Sequence, residues 1–281
     1  MTAHYSFTQQ IKSFCPSMPF SYLTRIVTFL FISVVTSAHA ENNNLTVITA
    51  IDSPSEFKIR FDGVPRASQI ASQGTQLVRS QTDNTLAHGT DAIYWLGAGL
   101  FDNDTGNAEQ LLSSVNKMLS HVTQIWQNDD EKLEAVKQLQ DFIHASLFKT
   151  RIPVTLDEDF YLAGSRINPL VDGNLTLLLP KRSDSVQVIG AVLHPQTVPF
   201  SVTHSADDYL SVATPLHSFG NSTAFVVQPN GEIEEHPIAY WNAQPKNIAP
   251  GAIVYMPFQR LPSALSSLNT DIVQLLQHRV M

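Results

Sequence analysis

Two groups of carboxylates have the composition that acid–base chemistry on a glycosidic bond requires: Asp157, Glu158 and Asp159 in a row, and Asp207 beside Asp208. Glycoside cleavage needs an acid and a base or nucleophile at a fixed separation. Each group also has a plainer structural reading. Asp207 places negative charge at the start of a helix, where the dipole favours it, and the 157–159 run reads as a solvated strand end. Trp95 and the pair Tyr240-Trp241 offer faces on which the apolar side of a sugar ring stacks while a nearby Asn or Arg bonds its hydroxyls; a core position is the plainer reading for them too. His194, His204, His217 and His236 are scattered through the second half without the close spacing of a metal site, and read as surface or loop residues. Neither a metal nor any other cofactor is expected. The chain has no Gly-x-Ser-x-Gly elbow, phosphate loop, His-Glu-x-x-His pair or Cys-x-x-Cys ladder.

These residues must be held by elements that the hydrophobic pattern reveals. Leu45 to Ile51 and Phe57 to Phe61 read as two short strands around the turn cluster Asp52-Ser53-Pro54-Ser55, and Ala92 to Ala98 as a further strand. The period then changes to about 3.6. Leu111, Leu112, Val115, Leu119, Val122 and Ile125 stripe one helix; Leu133, Val136, Leu139, Ile143 and Leu147 stripe a second, with Asn128-Asp129-Asp130 as turn and N-cap. The pattern predicts an antiparallel helical hairpin inserted at about 106–149 into a β domain, its stripes packing on each other and on the neighbouring sheet. Strands return at 151–156 and 175–179. After the break Pro180-Lys181-Arg182-Ser183-Asp184 come 186–192, 197–202, a short helix at 206–210, then 224–228, 233–240 and 253–256, a small α+β domain. Leu261, Leu265, Leu268, Ile272 and Leu275 stripe one face of a terminal amphipathic helix over 261–281. Packing on the chain's own second domain is the simplest use of that face, and docking of a partner through Leu265, Leu268, Ile272 and Leu275 the alternative.

At the N-terminus, Lys12 and Arg25 precede the apolar run Ile26 to Val35 and the small-x-small site Ala38-His39-Ala40, the order of a cleaved signal peptide over 1–40. The run is too short to span a bilayer, which takes about 20 residues. A periplasmic protein follows, with no direct membrane insertion. Cys15, the one cysteine, lies before the apolar run, so a mature chain would have no thiol nucleophile and no disulfide. Removing Lys12 and Arg25 takes the formal net charge from −8 to −10, against nucleic acid as a partner.

Several runs go further than composition. Arg166-Ile167-Asn168-Pro169-Leu170, Leu179-Pro180-Lys181-Arg182, Val186 to Val192, Asp208-Tyr209-Leu210, Val227-Gln228-Pro229-Asn230-Gly231, Ile238-Ala239-Tyr240-Trp241-Asn242, Ala249 to Phe258 and the closing Leu268-Asn269 to Leu275-Leu276 resemble, in that order, the GfcC family of capsule biosynthesis proteins, which includes YjbG-type exopolysaccharide proteins. The resemblance implies an α+β fold of two β-grasp domains, 41–182 with the hairpin insert and 183–260, similar to domains of the exporter Wza and followed by the terminal helix. It also implies a role for the arginine that opens the strand after the hairpin, here Arg151. With it, Arg166, Asn168, Trp95, Tyr240, Trp241 and Asn242 are the candidate binding residues. Family members often have Arg-Pro where this chain has Arg182-Ser183, and Asp where it has Asn230; both are turn positions.

The function that follows is a non-enzymatic periplasmic factor, expected as a monomer, that binds a surface polysaccharide or an outer-membrane export protein during polymer assembly or export. The alternative is a polysaccharide-modifying enzyme using Arg151 with carboxylates. An exporter-like oligomer whose terminal helix enters the outer membrane is disfavoured by that helix's single apolar face.

Overall fold

The computed structural model describes residues 42–50, 55–81, 93–163, 167–216, 220–242 and 244–280. The expected signal peptide, Arg166 and His217 lie outside them. The first half runs β1 (Asn42–Ala50), β2 (Ser55–Asp62), α1 (Ala67–Gln81), β3 (Gly99–Asp102), α2 (Asn107–Ile125), α3 (Asp130–Ala145), β4 (Leu147–Phe148), β5 (Thr150–Ile152), α4 (Glu158–Leu162) and β6 (Leu175–Pro180). Its sheet has the order β2-β1-β6-β3-β5, with β1 and β6 parallel and the other pairs antiparallel. Strand alternation sends Leu45, Val47, Leu175, Leu177 and Leu179 to one face, where they meet Ala67, Ile70 and Val78 of α1.

The hydrophobic pattern does not mark α1. Its few apolar residues sit among Ser, Gln and Thr, and Gly74 lies mid-helix, where propensity argues against it. The glycine is needed because the helix lies close on the sheet: a Cβ there would stand 2.6 Å from Leu177 Cδ2. The expected strand Ala92–Ala98 is also corrected. Trp95–Gly97 form a 3-10 turn in which the Tyr94 carbonyl accepts from the Gly97 and Ala98 amides, and the strand begins only at Gly99.

The second half runs β7 (Ser185–Gly190), β8 (Gln196–Pro199), α5 (Ala206–Ala213), β9 (Thr223–Val227), β10 (Ile233–Pro237), β11 (Ile253–Met256), α6 (Leu268–Gln277) and β12 (Arg279–Val280). Read as β8-β7-β11-β9-β10, its sheet repeats the first one strand for strand, with β7 and β11 the parallel pair. These are the two β-grasp domains. Asp207 lies in the first turn of α5, as expected, and Asp208 beside it completes the cap: its carboxylate accepts from the Ser205 amide while Ser205 Oγ accepts from the Asp208 amide.

The inserted hairpin does not cover its own sheet. Val115, Leu119 and Val122 of α2 and Ala135, Val136, Leu139 and Ile143 of α3 are buried in one continuous core with Val186 and Val188 of the second sheet and with Leu268, Ile272 and Leu275 of α6. An element inserted in the first domain thus completes the core of the second. The four leucine-type residues expected to dock a partner, Leu265, Leu268, Ile272 and Leu275, are 3%, 0%, 0% and 0% exposed. The chain covers that face itself, which corrects the docking expectation for it. The helix is also shorter than the predicted 261–281, because a 3-10 turn at Ser263–Leu265 precedes it and an extended tail follows. No helix among the described residues is long and apolar enough to cross a membrane.

That tail ties the domains together. β12 pairs antiparallel with β4, and the Lys149 amide donates to the His278 carbonyl at 2.9 Å. Val280 is buried with Phe101 and Leu178 on the reverse face of the first sheet. Arg279 lies 5.0 Å over the Phe142 ring of α3 and donates to Gln187 Oε1 on β7. The Arg151 amide donates to His278 Nδ1 at 3.1 Å, which requires a neutral ring with its proton on Nε2. Burial, and then the charge of Arg151, hold the His278 pKa below the usual histidine value; burial does the same at His236.

Two expectations follow. Leu139→Ala empties a site in the shared core and should lower the unfolding free energy by ~2–5 kcal/mol in urea titrations, with residues 183–281 alone failing to unfold cooperatively. Histidines with folded pKa values below the unfolded ~6.5 leave the unfolded chain binding more protons, so stability is full above that pH and falls on acidification from ~6.5 down to the folded values. Melting curves between pH 7.5 and 5 should show this loss. His278→Asn, which keeps an acceptor for the Arg151 amide, should flatten it in part, and adding His236→Gln should flatten it further.

Candidate functional site

A cavity of about 560 Å³ lies where the two domains and the end of α6 meet. From the first domain it is lined by the 3-10 turn carrying Trp95, by Gly99 of β3, by Arg151 of β5 and by the following segment to Asp157; from the second by Asn230, Gly231 and Glu232 of the β9–β10 turn; and by Gln277. Turn chemistry shapes the second wall. Asn230 Oδ1 accepts from the Glu232 amide, and Gly231 has φ +87°, a conformation that favours glycine.

Arg151 occupies a slot between two glycines. A Cβ on Gly99 would stand 2.8 Å from its NH1 nitrogen, and one on Gly231 2.8 Å from its Cδ. In that slot Nε donates to the Gln277 carbonyl at 2.9 Å, NH2 donates to the Pro229 carbonyl at 3.3 Å, and the guanidinium carbon is 4.7 Å above the Phe101 ring. Register puts Phe101 directly opposite Arg151 across the β3–β5 ladder. Burial pulls the guanidinium down to about 10, still charged at neutral pH. No carboxylate among the described residues is within ion-pair distance of it. The result is a half-buried cation compensated by carbonyl dipoles and one aromatic face, on the wall of a cavity that also holds Trp95. A planar anion entering there would gain a charge-assisted hydrogen bond that the free protein lacks. Asp157 and Glu232 are the carboxylates of the cavity; Asp157 accepts from the Asp159 amide as N-cap of α4, so the carboxylate run expected as a strand end begins a short helix.

The fold brings together Trp95 and Arg151, which are 56 positions apart in the chain, and separates them from Asn168, Tyr240, Trp241 and Asn242. Trp95 is half-buried, packed against the first core while facing the cavity. Asn168 ties down the start of α1: its carbonyl accepts from Arg66 NH1, its Oδ1 accepts from the Ser68 amide, and its Nδ2 donates to Ser68 Oγ. Tyr240 and Trp241 lie beyond the far end of β10 from the Asn230-Gly231 turn, so they do not reach the cavity. They are 99% and 78% exposed. Asn242 locks the turn that presents them, its Oδ1 accepting from the Ala239 amide and its Nδ2 donating to the Ser222 carbonyl. His236, read as a surface residue, is buried and 3.0 Å from Glu234. Gly99, Phe101, Gly231, Gln277 and His278 complete the Arg151 site and were not foreseen. Gln277 and His278 are separated from Arg151 by 126 and 127 positions, and nothing local marks such a pairing.

Two family models match the chain: capsule biosynthesis GfcC, N-terminal, over residues 63–182, and capsule biosynthesis GfcC C-terminal, over residues 194–281. The first covers the Trp95 and Arg151 walls of the cavity, the second the turn and tail that close it. The chain is also similar to YjbG, an uncharacterized protein of Escherichia coli (strain K12), being 32% identical over 151 residues, 52% of this chain and 60% of that protein's length. With both halves matched in order, each on one of its two β-grasp domains, the chain belongs to the GfcC family of capsule biosynthesis proteins.

Proposed function

We propose that this chain is a non-enzymatic periplasmic factor in the assembly or export of a capsule or exopolysaccharide, and that it holds an anionic stretch of that polymer in the Trp95–Arg151 cavity. The observation that carries the reading is the Arg151 guanidinium, half-buried with no ion-pair carboxylate among the described residues, beside an aromatic ring in an open volume of about 560 Å³. Uronate, phosphate and ketal-linked carboxylate groups all suit its planar fork. Family membership supports the pathway, and the N-terminal run ending Ala38-His39-Ala40 supports the compartment.

A specific observation also favours contact with an export protein: Tyr240 and Trp241 stand in solvent on a turn locked by Asn242, a rigid aromatic pair of the kind that anchors protein interfaces. The polymer would then be held at the domain seam while the aromatic turn engages the machinery.

Residues 41–281 should bind the organism's own extracellular polysaccharide saturably, with its chain length and substituents unchanged after long incubation. Arg151→Gln should weaken binding about 30-fold or more, the cost of roughly 2 kcal/mol for losing one side of a charge pair, while Arg151→Lys, which keeps charge without the fork, falls between. Shortened or altered chains would instead point to the enzymatic alternative, with Asp157 and Glu232 as the carboxylates to replace. The double variant Tyr240→Ser, Trp241→Ser should leave the melting temperature and polymer affinity unchanged, and should abolish co-purification with outer-membrane export proteins from the native host.

A further inference from the structure

A second cavity, of about 430 Å³, shares a wall with the first. The segment after β5 lines the first with Pro153 to Asp157 and then turns, through α4, to line the second with Tyr161 and Leu162. The Tyr161 hydroxyl donates to the Thr155 carbonyl, so one residue on each side of this wall is bonded to the other. The opposite side is the outward face of α1. Ser68, Gln69, Ser72 and Gln73 fall on one helical face by their spacing, and Phe61 of β2 closes the end.

The lining has a distinct chemistry. Phe160 packs edge-on to Tyr161 at 5.4 Å and 84°, which fixes the orientation of the Tyr161 ring. Leu162, 77% exposed, forms an apolar lip. Ser68 is already bonded to Asn168 and Gln69 Oε1 to the Arg66 amide, whereas the Ser72 hydroxyl, the Gln73 carboxamide and the Gln69 amide nitrogen make no hydrogen bond with the described residues. None of the described lining side chains carries charge. Among these side chains a charged ligand would lose its water without meeting a counter-ion. Aromatic faces flanked by uncommitted amide and hydroxyl groups suit instead a molecule with one apolar face and a rim of hydroxyls, and the volume admits a sugar unit or two.

We propose that this cavity is a second saccharide subsite, selective for uncharged sugar units, adjoining the anion-selecting site at Arg151. It rests on the reading of the chain as a polymer-binding protein and adds that the bound polymer is read at two chemically different places, one for charge and one for a neutral sugar.

The test uses residues 41–281 and the methyl glycosides of glucose, galactose, mannose and rhamnose, with binding followed by saturation-transfer NMR. At least one neutral glycoside should bind, more tightly than its uronic-acid counterpart. Ser72→Trp places an indole in the cavity from a half-exposed helical position that the fold tolerates; it should weaken glycoside binding at least tenfold with the melting temperature unchanged. Gln73→Ala should weaken it by a smaller factor, and Arg151→Gln should leave it unaltered. No transfer to any of the four, tighter binding of the uronic acid, or binding indifferent to Ser72→Trp would overturn the proposal. Loss of glycoside binding in Arg151→Gln equal to that in Ser72→Trp would also overturn it, by placing the sugar in the first cavity and leaving the earlier reading standing. Glycoside binding that survives alongside a failure to bind polymer would remove the Arg151 reading alone.

Discussion

Each half of this molecule leaves an apolar surface that only the other half can cover, and everything else in the structure depends on that exchange. The hairpin α2–α3 arises between two strands of the first sheet but buries its stripes against the second sheet and α6. In return, the tail beyond α6 leaves the second domain, pairs with β4 and sinks Val280 into the reverse face of the first sheet. Burying apolar area contributes about 25 cal/mol per Å², so a hairpin with eight buried core residues cannot be left uncovered in water. The two domains therefore stand as one unit rather than as beads on a linker.

The seam that holds Arg151 is a by-product of this constraint. Where the tail crosses from one domain to the other, the end of α6 and the β9–β10 turn both direct backbone carbonyls at the first domain, and Arg151 receives them. Those dipoles and the Phe101 face make the half-buried cation tolerable without neutralising it. Under the proposed reading, a formal net charge of −8 over the full sequence would repel acidic polymers in general, and an anion would be held only where the local field is reversed. Polymer recognition at this seam would be local and geometric rather than a matter of bulk charge.

Much of the architecture was legible in the residues. Strand alternation, the change of period at 107 and the Asp129 cap place both sheets and the hairpin within a few residues. The failures have physical causes. Helix α1 is polar on most of its circumference and interrupted by Gly74, because it buries a single strip, with Ala67, Ile70 and Val78, against the sheet. The segment at Trp95 has the composition of a strand, yet local hydrogen bonds to the Tyr94 carbonyl turn it into a 3-10 bend, and that bend is what aims the indole at the cavity.

The sequence by itself determined the α+β class, the amphipathic stripes, the caps and turns and the family, since each of these is written in residues close together in the chain. Which surface each stripe covers, and which side chains share a cavity, was decided only by the tertiary structure. Leu265, Leu268, Ile272 and Leu275 read equally well as a docking face or a core face, because periodicity states that a surface is apolar and is silent on what covers it. Arg151 meets its carbonyl partners across 78 and 126 positions, and those contacts exist because packing brings β5, the β9–β10 turn and the end of α6 to one place.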